Sequence, residues 1–397
     1  MDSQTVLGLI TLAVCGFALI LLFSRSNSTR LPAAVTFILH LITSTLFFIF
    51  NGVALPDAIY YDRIALEVAR GGTEVGVTLG KEGWPQLLGL VYGTLGHSPL
   101  LGLWINAFAA AATVILMGIV ASRLELNVRG TAWAFALLPE FLIWSSVLLR
   151  ESLVWFLLSV MLVGLTGVAS GRRVIWSGLL LAGGTAALLS VRGTLAVIIL
   201  AAGIAALMFT RRSGIATVGA SLLVILIPFA EPVLGRITQI TGGYSLASIE
   251  ASRDALTRTA STGFEVAAGG GGLSSIVSVL PEVFFGPFIW NIGAVGIPGV
   301  AMGLIWGMIL LFAVVGWRQH SNKRALLVLI LPAVSLLLVL ALTSGNYGTL
   351  VRLRVQAEIF LVPLAVTGFL WWRNSRRESG TAIKMIQPRP DSKKALS

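Results

Sequence analysis

Ionisable side chains are scarce in this chain, so the few that stand against apolar sequence carry most of its chemistry. Arg150 lies in LPEFLIWSSVLLRESLVWFLL, Arg192 in AALLSVRGTLAVIIL, and Arg352 and Arg354 in GNYGTLVRLRVQAEIF. A guanidinium held within a bilayer costs up to a few kcal/mol toward the centre, so each of the four asks for a partner. Guanidiniums converging on one pocket bind a phosphate or diphosphate through their forked N–H donors. Asp57, in LPDAIYYDRIALEVARGG, and Glu151, beside Arg150, supply carboxylates. A carboxylate near a bound phosphate ester can deprotonate an acceptor hydroxyl. The plainer alternative is that each arginine snorkels to lipid phosphates or pairs with a local acid, Arg150 with Glu151 and Arg354 with Glu358. Arg352 and Arg354, two residues apart, diverge on a helix and share a side only on extended backbone.

The elements that must position these groups are set by composition. Hydrophobic residues make up 56% of the 397 positions and charged residues 11%, against about 25% charged in a soluble domain. A water-soluble fold is thereby excluded. Apolar stretches near 5–23, 31–51, 99–121, 130–143, 152–170, 175–191, 194–210, 214–232, 290–316, 325–343 and 355–372 read as spans. Lipid offers no partner to an open backbone, so the spans must be helical. The expectation is an all-α polytopic membrane protein of about 11 transmembrane helices, with residues 1–372 forming one transmembrane domain. The first stretch lacks a basic lead and a small-residue cleavage site, so it reads as a span and not a leader.

Arginines and lysines collect on alternate connections, at 24–30, 122–129, 171–174, 211–213 and 317–324 and after 372. Among the acids only Glu125, Glu378 and Asp391 accompany them. The positive-inside rule makes these connections cytoplasmic, with the N-terminus outside and the C-terminus inside the cell membrane. The net charge of +11 is therefore a topology signal and not a nucleic-acid footprint. Residues 373–397 read as a basic, disordered cytoplasmic tail near anionic headgroups. Trp317, Trp371 and Trp372 sit where inner-face aromatic anchors belong.

Two long segments face the other way, 52–98 and 233–289. In the first, Pro56 stops a span and Asp57 is placed to cap a helix reaching about Arg70. Tyr60, Ile64 and Val68, beside Tyr61 and Ala65, line one side of that helix. Arg63, Glu67 and Arg70 line the other, which suits a helix lying on the membrane surface. WPQLLGLVYGTL, near 84–95, is too short to span and joins the same layer. Were it a span, every later connection would change sides. The 233–289 segment contains consecutive glycines at 269–272 and reads as either a lid over a cavity or a plain linker.

Other chemistries are missing from the sequence. Cys15 is the single cysteine, His40, His97 and His320 are scattered, and no phosphate-binding G-x-x-x-x-G-K-[ST] loop occurs. That argues against an ATP-driven pump. Asp57 and Glu151 are the two oxygen ligands a divalent metal would have.

Three stretches together resemble the GT-C class of membrane glycosyltransferases: PDAIYYDRIALEVARGG, WPQLLGLVYGTLGHSPLLGLWIN and LLPEFLIWSSVLLRESLVWFLL, covering roughly residues 50–165. NYGTLVRLRVQAEIFLVP is similar to a pattern of bacterial exopolysaccharide glycosyltransferases and polymerases. The resemblance implies transfer of a sugar from a polyprenyl-phosphate carrier to a cell-envelope glycan or glycolipid on the outer face. Asp57 takes the position of the class's outer-loop base, unless it is only a helix cap, with Glu151 and Tyr61 in support. Arg150, Arg192, Arg352 and Arg354 are the expected phosphate ligands. Two departures stand out: Asp57 is not part of an adjacent acidic pair, and an extra span precedes the module. An O-antigen-type polymerase or ligase would use the same arginines on a lipid diphosphate. A transporter or flippase of lipid-linked anions would need charges in mid-span and internal repeats, and neither is evident in the sequence.

Overall fold

The computed structural model describes residues 3–24, 26–72, 80–171, 173–209, 273–344 and 346–386. Among them the chain forms helices and no strand. They are α1 (Ser3–Phe23), α2 (Asn27–Asn51), α3 (Pro56–Ala69), α4 (Gly83–Leu95), α5 (Pro99–Arg123), α6 (Val128–Leu137), α7 (Pro139–Ser145), α8 (Glu151–Ala169), α9 (Val174–Met208), α10 (Leu273–Phe285), α11 (Ile292–Gln319), α12 (Leu327–Thr343) and α13 (Tyr347–Ile386). Seven are long and apolar enough to cross a membrane, and α12 contains a shorter apolar helix. The protein is an all-α polytopic membrane protein. Spans expected at 5–23, 31–51, 99–121, 152–170, 290–316, 325–343 and 355–372 coincide with α1, α2, α5, α8, α11, α12 and α13. The span expected at 214–232, the 233–272 part of the second long segment and residues 387–397 of the tail lie outside the described residues, whereas 373–386, expected to be disordered, continue α13 as helix.

Two expected spans, 175–191 and 194–210, fall in the one helical stretch α9, which is interrupted at Arg192 (φ −155°, ψ 75°). Gly184 packs on Met161 and Gly203 on Leu165. A straight helix would separate those two glycines by about 28 Å, whereas Met161 and Leu165 are one turn apart. The chain therefore reverses at Arg192, and both arms of α9 lie along α8. Gly164, packed on Ser177 and Leu181, sets the first arm antiparallel to α8.

The span expected at 130–143 is corrected: it is broken. Pro139 pushes Leu138 out of the helical region (φ −68°, ψ 117°), which ends α6 and starts the seven-residue α7. Residues 146–150 then run without regular helix into α8. Irregular backbone at this depth needs internal partners. Asn106 of α5, wholly buried, donates from Nδ2 to the carbonyls of Val147 (3.0 Å) and Leu149 (2.9 Å). Ser146 Oγ lies 2.9 Å from Thr43 Oγ1 of α2. Below this strap Phe141 stacks on Trp155 at 4.4 Å. These contacts fix the level at which Arg150 and Glu151 emerge.

The short helices expected around 57–70 and 84–95 are α3 and α4. They pack on each other, with Gly89 against Val68 and the carbonyl of Ala65. Ala58, Tyr61, Ile64 and Ala65 of α3 and Trp84, Leu88 and Tyr92 of α4 are buried. Asp57 does not cap α3. Leu55 holds the N-cap position without a side-chain bond, Pro56 begins the helix and Asp57 stands in its first turn. Proline supplies the φ that a first turn needs and lacks an N–H that would otherwise go unpaired. The Asp57 carboxylate is thus left to bond elsewhere. At the far side of the bundle α11 and α13 cross backbone to backbone, Gly316 against the Leu364 carbonyl and Gly368 against that of Phe312.

Candidate functional site

The first turns of α3 and α8 and the second turn of α13 meet the reversal of α9 at one end of the bundle. Arg352 of α13 donates from Nη1 to Asp57 Oδ2 at 3.0 Å, and its Nε lies 3.4 Å from Glu151 Oε1. Arg192 Nη1 approaches the same Glu151 oxygen at 3.8 Å. One guanidinium is thus shared by two carboxylates, and one carboxylate oxygen by two guanidiniums. The Glu151 side chain is only 2% exposed and that of Asp57 is 55% exposed. The first is the fixed anchor of the cluster and the second its solvent-facing member.

Burial leaves the cluster under-bonded. Arg192 Nη1, Arg352 Nε and Glu151 Oε2 are buried and make no hydrogen bond, so the 3.4 and 3.8 Å contacts are ion pairs without hydrogen-bond alignment. Buried guanidinium donors without acceptors carry a desolvation penalty that an anion would relieve.

Arg150 is the N-cap residue of α8 and reaches the α9 reversal, donating from Nη1 to the Val191 carbonyl at 2.6 Å. That carbonyl stands at the end of a helical arm, beside the kink at Arg192. Gly193 N–H, on the other side of the reversal, bonds the Gly80 carbonyl at 3.4 Å. Gly80 has φ +80° and would meet Leu189 and Gly193 backbone atoms at 3.2 Å if it carried a side chain. Glycine is required there, and it seats the loop entering α4 on the turn that holds Arg192.

Tyr61, one turn along α3 from Asp57, is buried and within electrostatic range of Arg150, Glu151, Asp57 and Arg192. Burial, the largest cause, lifts its phenol above the ordinary value of 10.0, while Arg150 opposes the rise and Glu151 adds to it. Tyr61 is therefore a neutral donor or acceptor in the site at physiological pH. A small apolar groove opens beside the start of α3, lined by Phe47, Phe48, Val53, Leu55, Ala58 and Leu103 among others.

Six expected site residues, Asp57, Tyr61, Arg150, Glu151, Arg192 and Arg352, come together. Arg354 does not join them, because α13 is helical through this stretch and turns it away. It is 1% exposed, stacks on Trp306 at 4.9 Å and donates to the Gly286 carbonyl. The Asp57–Glu151 pair also does not fit a divalent metal, since the Arg352 guanidinium bonds both carboxylates and would repel a cation placed between them.

Two clusters escaped the sequence reading. Asp62 on α3 accepts from Tyr92 of α4 at 2.8 Å and lies 3.2 Å from His97 Nε2, whose ring meets Tyr92 edge-on at 4.8 Å. The Y-x₄-H spacing of Tyr92 and His97 was the available signal. The other brings Glu140, which the sequence reading missed, to Glu358, which it named only as a partner for Arg354. Glu140 and Glu358 are each 1% exposed, inside apolar sequence where no mid-span acid was evident.

Comparison of the chain with known protein families, curated proteins and solved structures found no match. The fold and the cluster define a class, a helical membrane protein with arginines and carboxylates interleaved at one end of its bundle.

Proposed function

We propose that this protein is a membrane glycosyltransferase that moves a sugar from a polyprenyl-phosphate carrier to a cell-envelope glycan or glycolipid on the outer face. The observation that carries the proposal is the position of Arg352 between Asp57 and Glu151, with Arg192 on the other side of Glu151. Arg150, Arg192 and Arg352 together exceed Asp57 and Glu151 by one positive charge. That excess, with buried unbonded donors, suits a phosphate ester at headgroup depth. Alternation of basic connections puts this end of the bundle outside. The apolar lining of the small groove next to α3 offers a surface against which an isoprenoid chain could lie.

In the reaction, the phosphate of the carrier takes the hydrogen bond that Arg352 gives to Asp57. Asp57, freed and exposed, accepts the proton of the acceptor hydroxyl as its oxygen forms the new bond to the anomeric carbon. The bond from that carbon to the carrier phosphate breaks, and the electron pair leaves with the phosphate. Arg192 and Arg352 stabilise the charge that develops on it. Glu151 holds the two guanidiniums in register and Tyr61 orients a sugar or phosphate oxygen.

Binding of a synthetic polyprenyl-phosphate to purified protein tests this reading. Arg352→Gln and Arg192→Gln should each weaken it at least about 10-fold, the worth of one charge-assisted hydrogen bond. Unchanged affinity in both variants would rule the site out as the carrier site. A second reading, an O-antigen-type polymerase or ligase holding a lipid diphosphate, is favoured by the commitment of Asp57 to Arg352 in the resting site. It requires the arginines and not Asp57.

A further inference from the structure

Three charged-type side chains lie buried inside the helix bundle, and the arginine–carboxylate cluster at the bundle end does not use them. Arg354 and Glu358 lie one turn apart on α13, and Glu140 approaches them from α7. Each is 1% exposed. Glu358 lies about 9 Å deeper along α13 than Arg352, at 1.5 Å per residue. No ion pair within 4 Å joins the three, although both carboxyls act electrostatically on Arg354.

The bonding around them is one-sided. Arg354 is fixed by the Trp306 ring at 4.9 Å and by the Gly286 carbonyl, and a guanidinium stays protonated in proteins. The acids have no such support. Both oxygens of Glu140, apart from its own backbone N–H, and Oε2 of Glu358 are buried with no hydrogen-bond partner. With both ionised, the trio would hold one uncompensated negative charge in a place without solvent. An unpaired buried charge costs several kcal/mol, and proteins avoid it by neutralising the group. Two carboxyls that share a site keep a proton between them for the same reason.

Other titratable groups on the packed elements do not cancel this charge. His40 of α2 is buried with neither ring nitrogen bonded, its ring 5.7 Å from Phe141. Glu151 at the head of α8 is paired with Arg192 and Arg352, and Glu282 of α10 accepts from Tyr347. Arg123, Arg129 and Arg318 stand near the far ends of α5, α6 and α11.

We propose that Glu140, Glu358 and Arg354 form a proton-binding site inside the helix bundle, with one proton held by the two carboxyls against a single fixed guanidinium. A metal ion is the poorer ligand, because it would sit beside a guanidinium and demand a shell of oxygens. A proton needs only one carboxyl oxygen and brings the trio to neutrality. Its departure would place a full negative charge against α10 and α11, which reach Arg354 through Gly286 and Trp306.

Infrared spectroscopy of the full chain in lipid nanodiscs tests this directly. At neutral pH the parent should show a protonated-carboxyl stretch, shifted by deuterium oxide, with the intensity of one group. Glu358→Gln and Glu140→Gln should each abolish it, because the remaining acid then ionises against Arg354. Arg354→Gln should double it. Retention of the parent's tryptophan fluorescence identifies the variants that fold. A folded parent without the band at neutral pH overturns the proposal, whatever the variants do. So does a band that persists undiminished in both glutamate variants.

Discussion

Arg352 bonds Asp57 at 3.0 Å across 295 residues of sequence, and in doing so ties the second turn of α13 to the first turn of α3. The contact explains why Asp57 is not a helix cap, since its carboxylate is turned toward the guanidinium and away from the α3 backbone. It also makes the resting site self-neutralising in part, so that a phosphate would exchange for Asp57 without leaving Arg352 unpaired at any stage.

Glu151 is the support on which this exchange depends. It is almost wholly buried and stands between Arg352 and Arg192. Glu151→Gln keeps the shape but leaves Arg192 without a counter-charge and Arg352 with Asp57 alone, and a broken buried ion pair costs about 3 kcal/mol. Chemical unfolding in a detergent–lipid mixture should register a loss of that order. A loss below about 0.5 kcal/mol would mean that solvent already screens the cluster.

Asn106 carries the strap that delivers Arg150 and Glu151. Asn106→Leu removes the donor to Val147 and Leu149 and leaves two buried carbonyls unpaired, at about 1–3 kcal/mol each. Stability should fall by about 2 kcal/mol or more, and carrier affinity should fall with it although Asn106 is not itself a ligand. Lost stability with full affinity in the folded fraction would separate the strap from the site.

Much of this was legible in the sequence, and the failures have physical causes. Charge asymmetry and apolar length located most helices because a bilayer punishes unpaired backbone and charge more heavily than water does. Pro139 warned of a break at 130–143, yet the stretch is apolar enough to look continuous. Only the tertiary partner Asn106 shows how the break is tolerated. Arg192 and Arg352 were recognisable because each is expensive where it stands, and Asp57 and Glu151 because they are the acids in the stretches that resemble the GT-C class. Arg354 looked equivalent to Arg352, and separating them needed the helical phase of α13. Glu140 was passed over inside an apolar stretch, and Glu358 was read only as a local partner for Arg354.

Tyr61 and Tyr92 give a prediction in alkali. Burial is the main cause that raises both phenols above the usual value of about 10, with Asp62 adding to it at Tyr92. A raised folded value means the native state holds the proton more tightly. The stability contributed is full below the unfolded value and is lost as pH rises through the folded one. Tyrosinate absorbance should show Tyr61 and Tyr92 titrating late, and Tyr61→Phe or Tyr92→Phe should each remove one late step. Removal of an early step instead would show that the phenol is solvated.

The crossing of α11 and α13 leaves no room for a side chain at Gly316 or Gly368. Gly368→Val should cost at least about 2 kcal/mol, by overpacking against the Phe312 carbonyl, and should lower the yield of folded protein in membranes. Normal yield and unfolding behaviour would mean that the two helices separate readily.

The most direct test of the central claim is sugar turnover by Asp57→Asn, measured beside its affinity for a polyprenyl-phosphate. The account predicts near-normal carrier binding with turnover reduced at least about 100-fold, the usual worth of a general base. Full turnover by Asp57→Asn would contradict Asp57 as the base and leave the arginines alone with the chemistry, as the polymerase or ligase reading requires.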